Sequence, residues 1–144
     1  MAFKLNISDK GKAWKLEMES EFLVGKNVGD KIEGKDINHD LDGYESEITG
    51  GSDIAGFPLS RAVEGLGLKK VLLRRGFSMM NTKRGLRLRK TVRGRQISSA
   101  VSQINIKVLK HGKKLLHEIF PDQNKPKSLK AQKVEAKVEE AIAA

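Results

Sequence analysis

The chain has 144 residues, no cysteine, 38% hydrophobic residues and a formal net charge of +10. Those figures exclude a disulfide framework, a thiolate metal site and a cysteine nucleophile, and they predict one polar domain of about 110–120 residues with an appendage. No stretch approaches the ~20 apolar residues of a membrane span, and the first seven residues lack the apolar run of a signal peptide, so the expected location is the cytoplasm, with no membrane partner.

Phe3, Leu5 and Ile7 alternate with Lys4, Asn6 and Ser8, the period of a half-buried strand. Residues 9–12 read as a turn, and Trp14, Leu16 and Met18 repeat the alternation, which predicts an antiparallel hairpin. One helical turn is expected over 20–24, capped by Ser20 and ended by Gly25. From Gly25 to Gly43 the glycines disfavour helix and leave room for a short strand at residues 31–33. Tyr44, Ser46 and Ile48 predict the next strand, and Thr49 to Pro58 a glycine-rich loop.

Val71-Leu72-Leu73 predicts a short buried strand. Leu86 and Leu88 alternate with Arg87 and Arg89, which predicts leucines inward and arginines outward. In residues 102–109, Ile104, Ile106 and Val108 give the clearest strand of the second half. The expected fold class is mostly β, a small β-barrel of short, mainly antiparallel strands. Pro121 and Pro126 bracket an exit, so residues 1–120 read as the barrel domain and 121–144 as a linker with a helix-prone or disordered tail.

The charge is unevenly divided. Residues 1–64 carry a net −5, residues 65–117 a net +15, and residues 118–144 balance. No acid occurs between Glu64 and Glu118, and a block of this kind repels itself until a polyanion relieves it. Phe77 is the single aromatic between residues 66 and 117, so stacking platforms for splayed bases are lacking and the phosphates of folded RNA are the expected target. Gly85 and Gly94 interleave with Arg and Lys and let the main chain approach a phosphate closely. The expected RNA-binding residues are Arg74, Arg75, Lys83, Arg84, Arg87, Arg89, Lys90, Arg93 and Arg95.

Other chemistry finds little support. Gly50 to Gly56 looks like a phosphate-cradling loop, but Phe57-Pro58 follows where a nucleotide loop needs Lys and Ser or Thr, so a tight turn is favoured. His39-Asp40-Leu41-Asp42 lacks the further acids of a calcium loop and reads as solvated. No nucleophile-elbow sequence surrounds a serine. No metal, cofactor, small-molecule substrate or catalytic residue is expected.

The run Ile48-Thr49-Gly50-Gly51-Ser52-Asp53-Ile54-Ala55-Gly56-Phe57-Pro58-Leu59 resembles the signature of the S6e family of small-subunit ribosomal proteins of archaea and eukaryotes. That signature is an apolar residue, a small residue, Gly-Gly-x-Asp-x-x-Gly-x-Pro and usually Met, where Leu59 stands here. The opening Lys4-Leu5-Asn6-Ile7-Ser8 and the later Lys90-Thr91-Val92-Arg93-Gly94 are similar to the same family and occur in the same order. The resemblance implies a β-barrel on ribosomal RNA, no catalytic activity, and small-subunit rRNA and neighbouring ribosomal proteins as partners. It makes Gly50, Gly51, Asp53, Gly56 and Pro58 a structural loop. The eukaryotic members continue into a long basic helix with phosphorylated serines; the short, charge-balanced tail here resembles the archaeal members. The alternatives are an RNA-binding translation or assembly factor that exchanges on and off ribosomes, and an enzyme acting on RNA or a nucleotide, which would need an acid/base cluster that the strand pattern does not supply.

Overall fold

The computed structural model describes residues 2–19 and 21–124; the expected Ser20 cap and the tail beyond residue 124 lie outside the described residues. Strands β1 (Phe3–Asp9) and β2 (Lys12–Met18) form the expected hairpin, with Asp9 opposite Lys12. Its two-residue turn has positive φ at both Lys10 (44°) and Gly11 (80°), whose twist matches that of the strands. A 3-10 turn, Glu21–Leu23, occupies the expected helical turn, and β3 is Lys31–Glu33.

Helix was disfavoured between Gly25 and Gly43, yet a single turn, α1 (Gly34–Ile37), forms there, followed by a 3-10 turn at His39–Leu41. Gly34 permits this because any Cβ at that position would overlap the Leu41 carbonyl as the chain doubles back. The acids of the second turn are held by lysines, Asp40 by Lys114 at 3.1 Å and Asp42 by Lys35 at 3.5 Å.

Strand β4 (Glu45–Asp53) runs through the predicted glycine loop instead of stopping before it. Then come β5 (Leu68–Leu73), β6 (Leu88–Arg93), β7 (Val101–Lys110) and a last helical turn, α2 (Leu116–Ile119). The mostly β class holds, but the expected closed barrel does not. The strands form an open five-stranded sheet, β2-β1-β7-β4-β3, and a separate ribbon, β5-β6. The sheet stays open because β3, its last strand, has three residues and pairs with β4 alone, while irregular chain covers the apolar face.

The alternating residues of β1, β4 and β7 explain that face. Leu5, Ile48, Ile104 and Ile106 are buried against Leu23, Val28, Leu59 and Ile97 from turns and loops. Each such aliphatic side chain contributes about 1.5–3 kcal/mol relative to exposure. A second cluster around Ile7, Trp14, Tyr44, Val108 and Leu116 fills the end of the sheet near the β1–β2 turn. On the free edge of β2, the Gln123 side chain accepts from the Lys15 N–H at 2.6 Å and donates to the Lys15 carbonyl at 2.8 Å. Asn124 donates to the Ala13 carbonyl beside it.

Tyr44, the single tyrosine of the sequence, is buried and donates its hydroxyl to the Lys114 carbonyl. Burial, followed by the nearby carboxylates of Asp9 and Glu118, raises its pKa above the ordinary value of 10.0. A raised folded value disfavours the tyrosinate in the native state. The stabilisation is therefore complete below about pH 10 and is lost as pH climbs through that value toward the folded one. A tyrosinate absorbance titration of the native protein is expected to show its midpoint above that of the unfolded chain. Coincident midpoints would mean that Tyr44 is solvated.

Candidate nucleic-acid interface

Strands β5 and β6 pair from Leu68 opposite Arg93 to Leu73 opposite Leu88, and the ribbon stands on the end of the sheet where β4 finishes and β7 begins. Two packing expectations fail on it. Val71 and Leu73 are only half-buried and Leu72 is 52% exposed, so this is not a buried strand; Leu88 likewise sits 41% exposed. A two-stranded ribbon has no second layer over most of its length. Only Val92, at its base, is fully buried, against the body of the protein.

The arm gathers the charge. Arg74 and Arg75, leaving β5, face Lys83, Arg84, Gly85, Leu86 and Arg87, approaching β6, around a pocket of about 290 Å³ at the tip. The positive φ of Gly85 (79°) turns the chain there. Lys90 folds back to donate to the Ser78 carbonyl at 2.7 Å, fixing the loop to the ribbon, and Arg89 lies exposed opposite Leu72. Among the described residues no carboxylate pairs with Arg74, Arg75, Lys83, Arg84, Arg87 or Arg89. Five cations around one pocket without a counter-charge make a strong local positive potential.

Arg93 and Arg95, also expected to bind RNA, are placed elsewhere. Arg95 lies 3.4 Å from Glu64. Arg93 is inside the protein: its Nε and Nη2 donate to Asp53 Oδ2 at 2.9 and 2.6 Å, and Nη1 donates to the Leu66 carbonyl at 2.9 Å. With side chains 13% and 6% exposed, Arg93 and Asp53 form a buried, forked ion pair.

That pair explains the glycine-rich segment. Asp53 closes a turn in which its N–H donates to the Phe57 carbonyl and Gly56, at φ 87°, donates back to Asp53. The Pro58 carbonyl then accepts from the Arg93 N–H at 3.0 Å. Gly51 has ordinary φ but no room: a Cβ would overlap the Gln103 carbonyl oxygen and crowd Leu59. Replacing Gly51 by Val is expected to cost about 1–3 kcal/mol or more through overpacking. An unchanged melting temperature would show that β7 yields there.

The three segments quoted from the sequence therefore meet in one body, with β7 between the first and the middle one. Lys4 to Ser8 lie in β1 beside β7, and Arg93 of the third segment is clasped by Asp53 of the second. A family model described as ribosomal protein S6e matches residues 3–121. The chain belongs to the ribosomal protein S6e family. A small ribosomal subunit protein eS6 of Nanoarchaeum equitans is 42% identical over 122 residues, which cover 81% of this chain and 88% of that protein. Those of Methanothermobacter thermautotrophicus and Archaeoglobus fulgidus are 42% and 41% identical, each over 83% of this chain and 96% of their own. All three relatives are archaeal.

Within this S6e protein, charge density marked the basic stretch that the structure gathers on the β5–β6 arm, but it gave no sign that Lys10 and Lys12 line a recess with two histidines. Both lysines lie in the acidic first half of the chain. The turn carries them beside His111 and His117, where they line one recess.

Proposed function

We infer that this S6e chain is a structural, non-enzymatic constituent of the small ribosomal subunit in the cytoplasm. Its β5–β6 arm grips the backbone phosphates of folded rRNA, and neighbouring ribosomal proteins share its surroundings. Family membership supports the place in the subunit. The uncompensated pocket of Arg74, Arg75, Lys83, Arg84 and Arg87 is the observation that carries the RNA contact. Arg89 and Lys90 extend the same surface along β6, and Arg95 flanks its base. Arg93 serves it indirectly, by anchoring the arm on Asp53. Residues 1–120 act as the RNA-binding unit and 121–144 as linker and tail, a division supported by the family match to residues 3–121.

If about six phosphates are neutralised, rRNA affinity falls with salt at a log–log slope of roughly −4 to −5. The test is gradient sedimentation of native lysate at moderate and high salt. Stoichiometric comigration with small subunits through the high-salt wash is expected; recovery near the top of the gradient would instead indicate a factor that exchanges.

A further inference from the structure

We propose that the chain carries a second phosphate-binding surface, at the end of the sheet opposite the arm, so that one molecule ties together two separate segments of rRNA. This deepens the rRNA reading above and rests on it. The topology sets the two ends. Strands β1 and β7 are parallel and β4 is antiparallel to both, so the β1–β2 turn and the finish of β7 at Lys110 share one end of the sheet. The arm joins at the other, through Asp53 and Arg93. The ten residues of β7 alone span about 33 Å. That is several times the Debye length of about 8 Å at physiological ionic strength, so the two charged ends act independently.

Lys10 and Lys12 are presented by a turn whose positive φ at Lys10 and Gly11 fixes its shape. Two recesses open beside them. One, of about 250 Å³, is lined by Asp9, Lys10, Lys12, Trp14, His111 and His117, over Leu115 and Leu116. The other, of about 320 Å³, lies on the far side of Lys10 and reaches Lys107.

The charges here divide in a telling way. Lys110 and Lys114 are taken up by Glu45 and Asp40, at 2.8 and 3.1 Å. Among the described residues no carboxylate pairs with Lys10, Lys12, Lys107 or Lys113. Asp9, the acid lining both recesses, lies 3.5 Å from His111. Trp14 adds a second, independent observation. It is 4% exposed and lines the first recess, and its indole N–H meets no acceptor among the described residues. An unsatisfied buried donor is costly, and this one lies beneath the wall of the recess, so the indole is placed to report on an anion bound above it. Lysine point charges suit a backbone phosphate, and no aromatic face is needed to stack a base.

The absence of cysteine allows a single reactive site to be introduced at either end. Leu115→Cys, 49% exposed beside the first recess, and Met80→Cys, 95% exposed on the arm loop, would each carry a tethered iron chelate. Each labelled protein would be assembled into small subunits and rRNA cleavage mapped. Two non-overlapping sets of cuts are expected. Cuts from residue 80 alone, the same cuts from both, or a neighbouring protein cleaved at residue 115 instead of RNA would each overturn the second surface while leaving the arm reading intact. Assembled subunits cut from neither position would overturn the rRNA reading as well.

The double variant Lys10→Gln/Lys12→Gln, binding deproteinised small-subunit rRNA, is expected to lose about 1.5–2 units of log–log salt slope. It should also lose the change that RNA produces in the emission of Trp14, the single tryptophan. An unchanged slope and an unchanged emission response would overturn the proposal.

Discussion

Replacing Asp53 by Ala is expected to destabilise the protein by about 3–5 kcal/mol, because it strands the Arg93 guanidinium in a site from which water is largely excluded. The carboxylate accepts two bonds from Arg93, whose Nε and Nη2 lose their partner together, and a third from the Ile54 N–H, which keeps the Ala100 carbonyl. Denaturant unfolding followed through Trp14 emission measures the loss. The double variant Asp53→Ala/Arg93→Met should recover much of it, since it removes the orphaned charge and leaves an apolar stem in its place. A cost under about 1 kcal/mol, typical of an exposed pair, would show that solvent reaches the site. The arm is the part put at risk, because the Arg93 main chain also pairs with Pro58 and Ser60.

Replacing Arg74, Arg75, Arg84 and Arg87 together by Gln should leave the fold untouched and cripple the RNA contact. All four are exposed and none holds another part of the described structure through an ion pair. The log–log salt slope for rRNA binding is expected to become shallower by about 3–4, close to one unit for each phosphate contact removed. Circular dichroism should be unchanged. A slope that stays where it was would place the RNA on another face, whereas a lost folded signal would mean that the arm packs against more than the structure shows.

Sequence made the local pairings legible and left the distant ones hidden. The hairpin of β1 and β2 and the alternation in β7 could be read because period-two burial is written in neighbouring residues. That β7 slides between β1 and β4 could not, since nothing local distinguishes a parallel partner 99 residues away from an antiparallel one nearby. The barrel expectation failed at the same point, because strand count says nothing about which edges meet. At the site, charge density found the arm but could not sort its arginines. Arg93 has the same spelling as Arg87, and only the fold brings Asp53 against one of them. The leucines of the arm misled for a related reason: alternation reports which residues share a face, and a face is buried only when something covers it.

The side chain of Gln123 lies along β2 and offers Lys15 one acceptor and one donor, the two groups that an added strand would present. At the other margin β3 is three residues long, its buried Ile32 flanked by exposed Lys31 and Glu33. Both margins of the sheet are thus closed to a newcomer, one by a counterfeit strand and the other by brevity and charge. A ribosomal protein is synthesised before it meets its RNA, and during that interval a bare sheet margin would recruit a second copy. Among the described residues, the five-stranded sheet meets that interval with neither margin bare.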